Sequence, residues 1–139
     1  MRDFTSLANP LILVFVPFVF LGPTKPYWVL LIALAINEIL GSLIKYLFHK
    51  PRPTGQKYSN ALEKIDAGSF PSLHSSRIAV VYLTLFWQSK LLVFQVLFLT
   101  VIVVVGCSRV FLRKHYWSDV AGGMFFGVLV FLGTLYFAS

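Results

Sequence analysis

Hydrophobic and polar positions divide this chain of 139 residues into five apolar runs separated by short polar breaks. The runs cover roughly Leu7 to Leu21, Tyr27 to Phe48, Ser72 to Gln88, Leu91 to Leu112 and Ser118 to Ala138. Apolar runs of about 18 to 20 residues read as membrane-spanning helices, because a helix satisfies its own backbone polar groups in hydrocarbon. The first run is short and holds Pro17, which is tolerated where neighbouring helices satisfy the freed carbonyl. Pro23 and Pro26 set the start of the second. The break at Gln88-Ser89-Lys90 is tight, so the third and fourth helices are expected to be antiparallel neighbours.

The one long polar stretch, His49 to Phe70, separates the second and third runs. Within it, Asn60-Ala61-Leu62-Glu63 has the form of a capping box, and Gly68 is a natural stop. A short interfacial helix is expected there, with Leu62 and Ile65 turned toward lipid or protein. The expected fold class is therefore all-α: an integral membrane bundle of about five transmembrane helices, with the interfacial helix between the second and third. The length fits a single domain over residues 1–139.

Composition agrees with this pattern: 58% of residues are apolar, 12% are charged, and the mean hydropathy is +0.79. A soluble domain needs more charge to cover its surface. The net charge of +7 does not point to nucleic acid, because the basic residues form no run and do not interleave with aromatics. They sit in the polar breaks, where positive groups hold lipid phosphates or set topology. One cysteine, Cys107, allows no internal disulfide and no multi-cysteine metal site. Phe20-Leu21-Gly22-Pro23 is a poor cleavage site, so the N-terminal run is expected to be retained.

Five spans impose a parity. The N-terminus, the His49–Phe70 stretch and the break after the fourth run all fall on one side of the membrane. Every Lys and Arg except Lys25 and Lys90 falls on that side too, and the positive-inside rule favours the cytoplasm for it, while the orientation stays open.

Three polar motifs meet on that side: Lys45-x6-Arg52-Pro53, Pro71-Ser72-Leu73-His74, and Ser108-Arg109-x5-His115-x3-Asp119. Arg52, bracketed by Pro51 and Pro53, offers a planar fork to phosphate oxygens, and Lys45 offers a point charge. Taken alone, Lys45 reads better as a snorkelling side chain and Arg52 as a topology anchor. Ser72 opens the third helix, whose free N–H groups make an anion site, and places His74 beside it for proton transfer. Arg77, one turn on, either joins the site or faces lipid headgroups, the second being favoured. His115 and Asp119 share a helical face, and a carboxylate bonded to one imidazole nitrogen leaves the other free as nucleophile or base. His49 reads as interfacial. Asn37 and Glu38 lie deep in the second run, where a carboxylate is costly unless paired or protonated; Glu38 is expected to contact a buried polar partner or to line a lipid-tail cavity, in a packing rather than a catalytic role.

Together the motifs resemble the signature of the type-2 phosphatidic-acid phosphatase superfamily, K-x6-RP, PSGH and SR-x5-H-x3-D. That superfamily includes membrane lipid phosphatases, bacterial acid phosphatases and vanadium haloperoxidases. Every specified position matches except Leu73, where the family usually has glycine. The resemblance implies that His115 attacks phosphorus, Asp119 orients it, and His74 protonates the leaving oxygen. It implies that Lys45, Arg52, Ser72, Arg109 and the backbone N–H of Leu73 bind the phosphoryl oxygens, with no metal or other cofactor. Leu73 is expected to alter pocket shape rather than abolish activity. Lipid phosphatases of the family commonly have six spans, one more than here.

The expected function is a multi-pass, plasma-membrane lipid phosphatase. It would act on a phosphomonoester or diphosphate such as a polyprenyl diphosphate, phosphatidylglycerophosphate or phosphatidic acid. Isoprenoid diphosphate is slightly favoured, because a minimal chain leaves little structure for headgroup recognition. Lipid phosphotransfer through the same histidine and a non-catalytic lipid-binding role are the alternatives. Membrane lipids are the expected partners, with no nucleic acid; the sequence does not specify an oligomeric state. Bacterial family members often face outward, against the charge rule.

Overall fold

The computed structural model describes residues 10–88 and 91–138. Among the described residues, six helices follow in order: α1 (Pro10–Leu21), α2 (Lys25–Leu47), α3 (Ala61–Ala67), α4 (Leu73–Gln88), α5 (Leu92–Phe111) and α6 (Trp117–Ala138). An isolated antiparallel bridge joins Pro51 to Gly68. Among the described residues, α2 and α6 are long and apolar enough to cross a membrane. Residues 7–9 of the first expected run and the Ser89-Lys90 turn lie outside the described residues.

The short helix α3 stands where the capping box predicts it. Asn60 caps it by accepting from the Glu63 N–H at 2.8 Å. The Glu63 carboxylate reaches one residue further back than expected and accepts from the Ser59 N–H and hydroxyl, each at 2.7 Å. Leu62 is exposed, and Gly68 ends the helix.

Helix α4 is the centre of the bundle, packed against α6, α2 and α5. Leu30 and Ala33 of α2, Val80 of α4 and Val130 of α6 form one buried cluster, and Ile78 and Val105 join α4 to α5. The outer surface is unlike a soluble protein's. Large apolar side chains such as Trp28, Ile32, Leu43, Phe125 and Leu132 point outward, while Asn37, Ser72, Ser75, Ser76, Thr84 and Thr134 are buried. A hydrocarbon solvent selects this arrangement, because helix association there depends on close packing and interhelical hydrogen bonds.

The α4–α6 contact rests on small residues. A methyl group at Gly123 would strike the Ser72 carbonyl, and one at Gly127 would strike the Ser76 carbonyl and lie 2.9 Å from Ala79 Cβ. Positions 123 and 127 are one turn apart, as are 72 and 76, so two smooth stripes meet backbone to backbone.

The α2–α4 contact is polar at its middle. Ser76 Oγ donates to Asn37 Oδ1. Arg77 forks onto Glu38, Nε to Oε1 and Nη2 to Oε2, the second at 2.6 Å. Glu38 thus has the polar partner its depth requires. The expectation that Arg77 faces headgroups is corrected: its position on α4 turns it toward α2, where a carboxylate meets it.

Candidate functional site

The polar residues at one end of the bundle are positioned by backbone that returns on itself. Lys45, in the last turn of α2, is buried, and its Nζ donates to the Gly68 carbonyl at 2.9 Å. The Pro51–Gly68 bridge holds the segment after α2 against the segment before α4. Next to it, the Ser69 N–H donates to the Lys50 carbonyl at 2.7 Å. The Ser72 N–H donates to the Asp119 carbonyl at 3.0 Å, tying the start of α4 to the start of α6.

The spacing between Arg109 and His115 has a local cause. Helix α5 ends at Phe111, and Arg113 takes a left-handed φ of 52°, a conformation that reverses the chain and that L-residues seldom adopt. The N–H groups of Lys114 and His115 then both reach back to the Arg109 carbonyl, at 3.1 and 3.2 Å. Arg109 and His115 are both buried, side by side in chain path despite the residues between them.

The His115 ring is oriented by the backbone rather than by the expected carboxylate. Its Nδ1 lies 2.7 Å from the Ser69 carbonyl oxygen and 4.0 Å from Asp119 Oδ2. A carbonyl only accepts, so Nδ1 carries the proton and Nε2 keeps the lone pair. Burial, followed by the Lys45 charge, pushes the His115 pKa down to about 4. The Ser69 hydrogen bond and the Asp119 charge oppose that shift. The ring is therefore neutral at physiological pH.

Asp119 is engaged elsewhere. Its Oδ2 accepts from the Tyr116 N–H at 2.9 Å, the reach-back of a carboxylate in the first turn of a helix. Its Oδ1 lies 2.5 Å from Lys50 Nζ. Lys50 also donates to Ser118 Oγ at 2.9 Å and lies 4.6 Å from the centre of the Tyr116 ring.

His74, half-buried at the start of α4, lies within electrostatic reach of Arg109, Arg77, His115 and Lys45. Arg52 is within reach of both Lys45 and His115. Its Nη2 is 3.7 Å from Asp66, while its Nε is buried without a protein partner. Ser72 Oγ accepts from Ser75 Oγ at 3.1 Å. Leu73 is buried, with its side chain in the notch left by Gly41 on α2. His49 stands apart, edge-on to Tyr58 at 4.8 Å between ring centres.

Three features escaped the sequence reading. Lys50 was hidden among the unspecified positions between Lys45 and Arg52. Alternation in an extended segment, which puts residues 50 and 52 on one side, is the signal that exposes it. The Gly123-x3-Gly127 spacing in an apolar helix is a known close-packing pattern. Ser69, an unremarkable serine before Phe70-Pro71, offers no signal, because its carbonyl rather than its side chain is used. Among the described residues, no group of three His, Cys, Asp or Glu side chains stands close enough to hold a metal ion.

Comparison with known proteins agrees with the motifs. The family model described as the PAP2 superfamily matches residues 26–139. Among solved structures, the chain resembles a transmembrane PAP2-type phosphatidylglycerolphosphate phosphatase from Bacillus subtilis, with 24% identity and a TM-score of 0.69. The match covers 97% of this chain and 70% of that one, and establishes likeness of fold.

Proposed function

The chain belongs to the PAP2 superfamily, and on that premise we propose that it is an integral membrane lipid phosphatase working through a phosphohistidine. The observation that carries this reading is the state of His115. Its Nδ1 is tied to the Ser69 carbonyl, which leaves Nε2 free to attack, and Lys45 and Arg52 lie within electrostatic reach.

In the proposed reaction, Lys45, Arg52, Arg109, the Ser72 hydroxyl and the Leu73 N–H bind the phosphoryl oxygens and the charge that develops on them. Nε2 of His115 forms a bond to phosphorus as the bond from phosphorus to the lipid oxygen breaks. His74 gives that oxygen its proton. The phosphorylated ring is positive, and the Ser69 carbonyl and the Asp119 carboxylate stabilise it. Water then attacks phosphorus, His74 takes a proton from it, and His115 is released with inorganic phosphate. These cationic side chains do the work often given to a metal ion, so the reaction is proposed to need none.

The substrate is a phosphomonoester or diphosphate of an amphiphile. An apolar groove of about 450 Å³ between α2 and α6, lined by Ile36, Leu40, Phe126 and Phe137 among others, suits a hydrocarbon tail. In the proposed topology α1, α2, α4, α5 and α6 cross the bilayer and α3 lies at its surface. Helix α4 is only 16 residues long, about 24 Å at 1.5 Å per residue, but α2, α5 and α6 surround it, so it need not match the bilayer itself. The test is phosphate release by purified protein from phosphatidic acid, phosphatidylglycerophosphate and a polyprenyl diphosphate, with EDTA present. The wild type should hydrolyse at least one, and His115→Ala none; equal rates in both would overturn the reading.

A further inference from the structure

The side chains of Leu73 on α4 and Phe126 on α6 both reach the space over Gly41 on α2: Leu73 Cδ2 fills the place of a methyl group there, and Phe126 Cε1 would lie 3.4 Å from one. Phe126 also begins the apolar groove between α2 and α6, which runs from Leu40 back to Ile32 on one wall and from Phe126 on to Ala138 on the other. Gly41 lies one turn, about 6 Å, from Lys45, and Phe126 lies two turns, about 10 Å, from Asp119. The phosphate cluster, the Gly41 notch and the groove therefore follow one another along the bundle. Leu73 has its N–H at the first of them and its side chain at the second. We infer that Leu73 is a specificity-determining residue: it narrows the passage from phosphate to tail, so that the site prefers single-chain lipid phosphates to those carrying two chains on glycerol. The inference deepens the proposed function and rests on the phosphate lying at the start of α4 with its tail in the groove.

The walls of the passage leave its width to Leu73. Gly41 contributes no side chain. Phe126 packs against the buried cluster of Leu30, Ala33, Val80 and Val130, and a close-packed interior yields only at a cost. Leu73 is itself buried, so its isobutyl group takes up the notch. With glycine at position 73, two glycines would face each other and leave a gap at the head of the groove. A glycerol backbone with two acyl arms puts a branch point a few bonds from phosphorus, at the depth of that notch. A single-chain alcohol phosphate puts only methylenes there. Apolar walls discriminate on this scale, since one methylene too many or too few in such a pocket changes kcat/KM by about tenfold or more.

The test compares hexadecyl phosphate with dipalmitoyl phosphatidic acid on full-length protein in detergent micelles. The ratio of their kcat/KM values is read within each variant, which cancels any common loss of rate. The wild type should favour hexadecyl phosphate by about tenfold or more. Leu73→Gly should bring the ratio near unity, and Leu73→Met, which conserves volume, should keep the wild-type preference. If Leu73→Gly does not fold, Leu73→Ala empties the notch with a good helix former and should move the ratio in the same direction. An unchanged ratio in the folded small variant overturns the inference. So does a wild type that favours phosphatidic acid, or a shift in Leu73→Met as large as that in Leu73→Gly. Hexadecylphosphonate and the matching diacylglycerol phosphonate, which resist hydrolysis, give the same comparison as a ratio of dissociation constants. A shift in that ratio in a preparation that hydrolyses no lipid phosphate supports the role of Leu73 and counts against the phosphatase reading alone. Binding of neither phosphonate by the wild type overturns both.

Discussion

Leu73 fills the notch that Gly41 leaves on α2. A methyl group built at position 41 would overlap Leu73 Cδ2 and sit 3.4 Å from Phe126 Cε1. The residue that departs from the family's usual glycine is thus accommodated by a glycine one helix away. Gly41→Ala should destabilise the protein by about 1 to 3 kcal/mol, the usual range for overpacking. Added to Leu73→Gly, which carries its own cavity cost, it should cost much less than it does alone. Thermal unfolding of the two single variants and the double variant measures the coupling, and strict additivity would show that the two residues do not share a space.

Gly127→Val should do more damage than Gly133→Val. Both glycines lie on α6, but a side chain at 127 meets the Ser76 backbone, whereas at 133 nothing lies within 4 Å. Prying α6 from α4 also separates Ser72 from Asp119, so Gly127→Val should lose activity along with stability. Comparable melting temperatures for the two variants would contradict the packing account.

Glu38 and Arg77 should prove interdependent. Removing either charge leaves the other without its partner between helices, so Arg77→Met or Glu38→Gln alone should cost about 2 kcal/mol or more. Arg77→Met combined with Glu38→Leu should cost less than the sum of the single changes. A double-mutant cycle on thermal stability checks this, and zero coupling energy would rule out the pairing.

How far these contacts could be foreseen differs along the chain. Helix positions were legible because apolar runs and the Asn60–Glu63 cap are local signals. The meeting of Lys45, His74 and His115 was legible from parity, which needs only the number of helices between them. The partners were less so. Arg77 pairs with Glu38 because of the rotation of α4 against α2, which no spacing within either helix encodes. The hydrogen bond from His115 to the Ser69 carbonyl was invisible because every residue has a carbonyl. The i, i+4 spacing of His115 and Asp119 suggested a direct bond, but α6 begins at Trp117, after His115. Asp119 therefore caps its own helix instead.

Acid should destabilise the protein through His115. Its folded pKa of about 4 lies below the ordinary histidine value of 6.5, so between those values the unfolded chain binds the proton and the folded one does not. The stability associated with the neutral ring is fully present above about pH 6.5 and is lost as pH falls through about 4. Melting temperatures measured across that window should fall more steeply for the wild type than for His115→Gln. Parallel curves would mean that the ring is not held neutral.

The most direct measurement is to trap the intermediate. Protein mixed with a lipid phosphate carrying ³²P in the phosphoryl group and quenched in alkali should retain label on His115, stable to base and released by acid. The label should persist longer in His74→Ala, where water is activated poorly, and be absent from His115→Ala. Phosphate release with no label on His115 in either the wild type or His74→Ala, or equal labelling of His115→Ala, would contradict a phosphohistidine at this position.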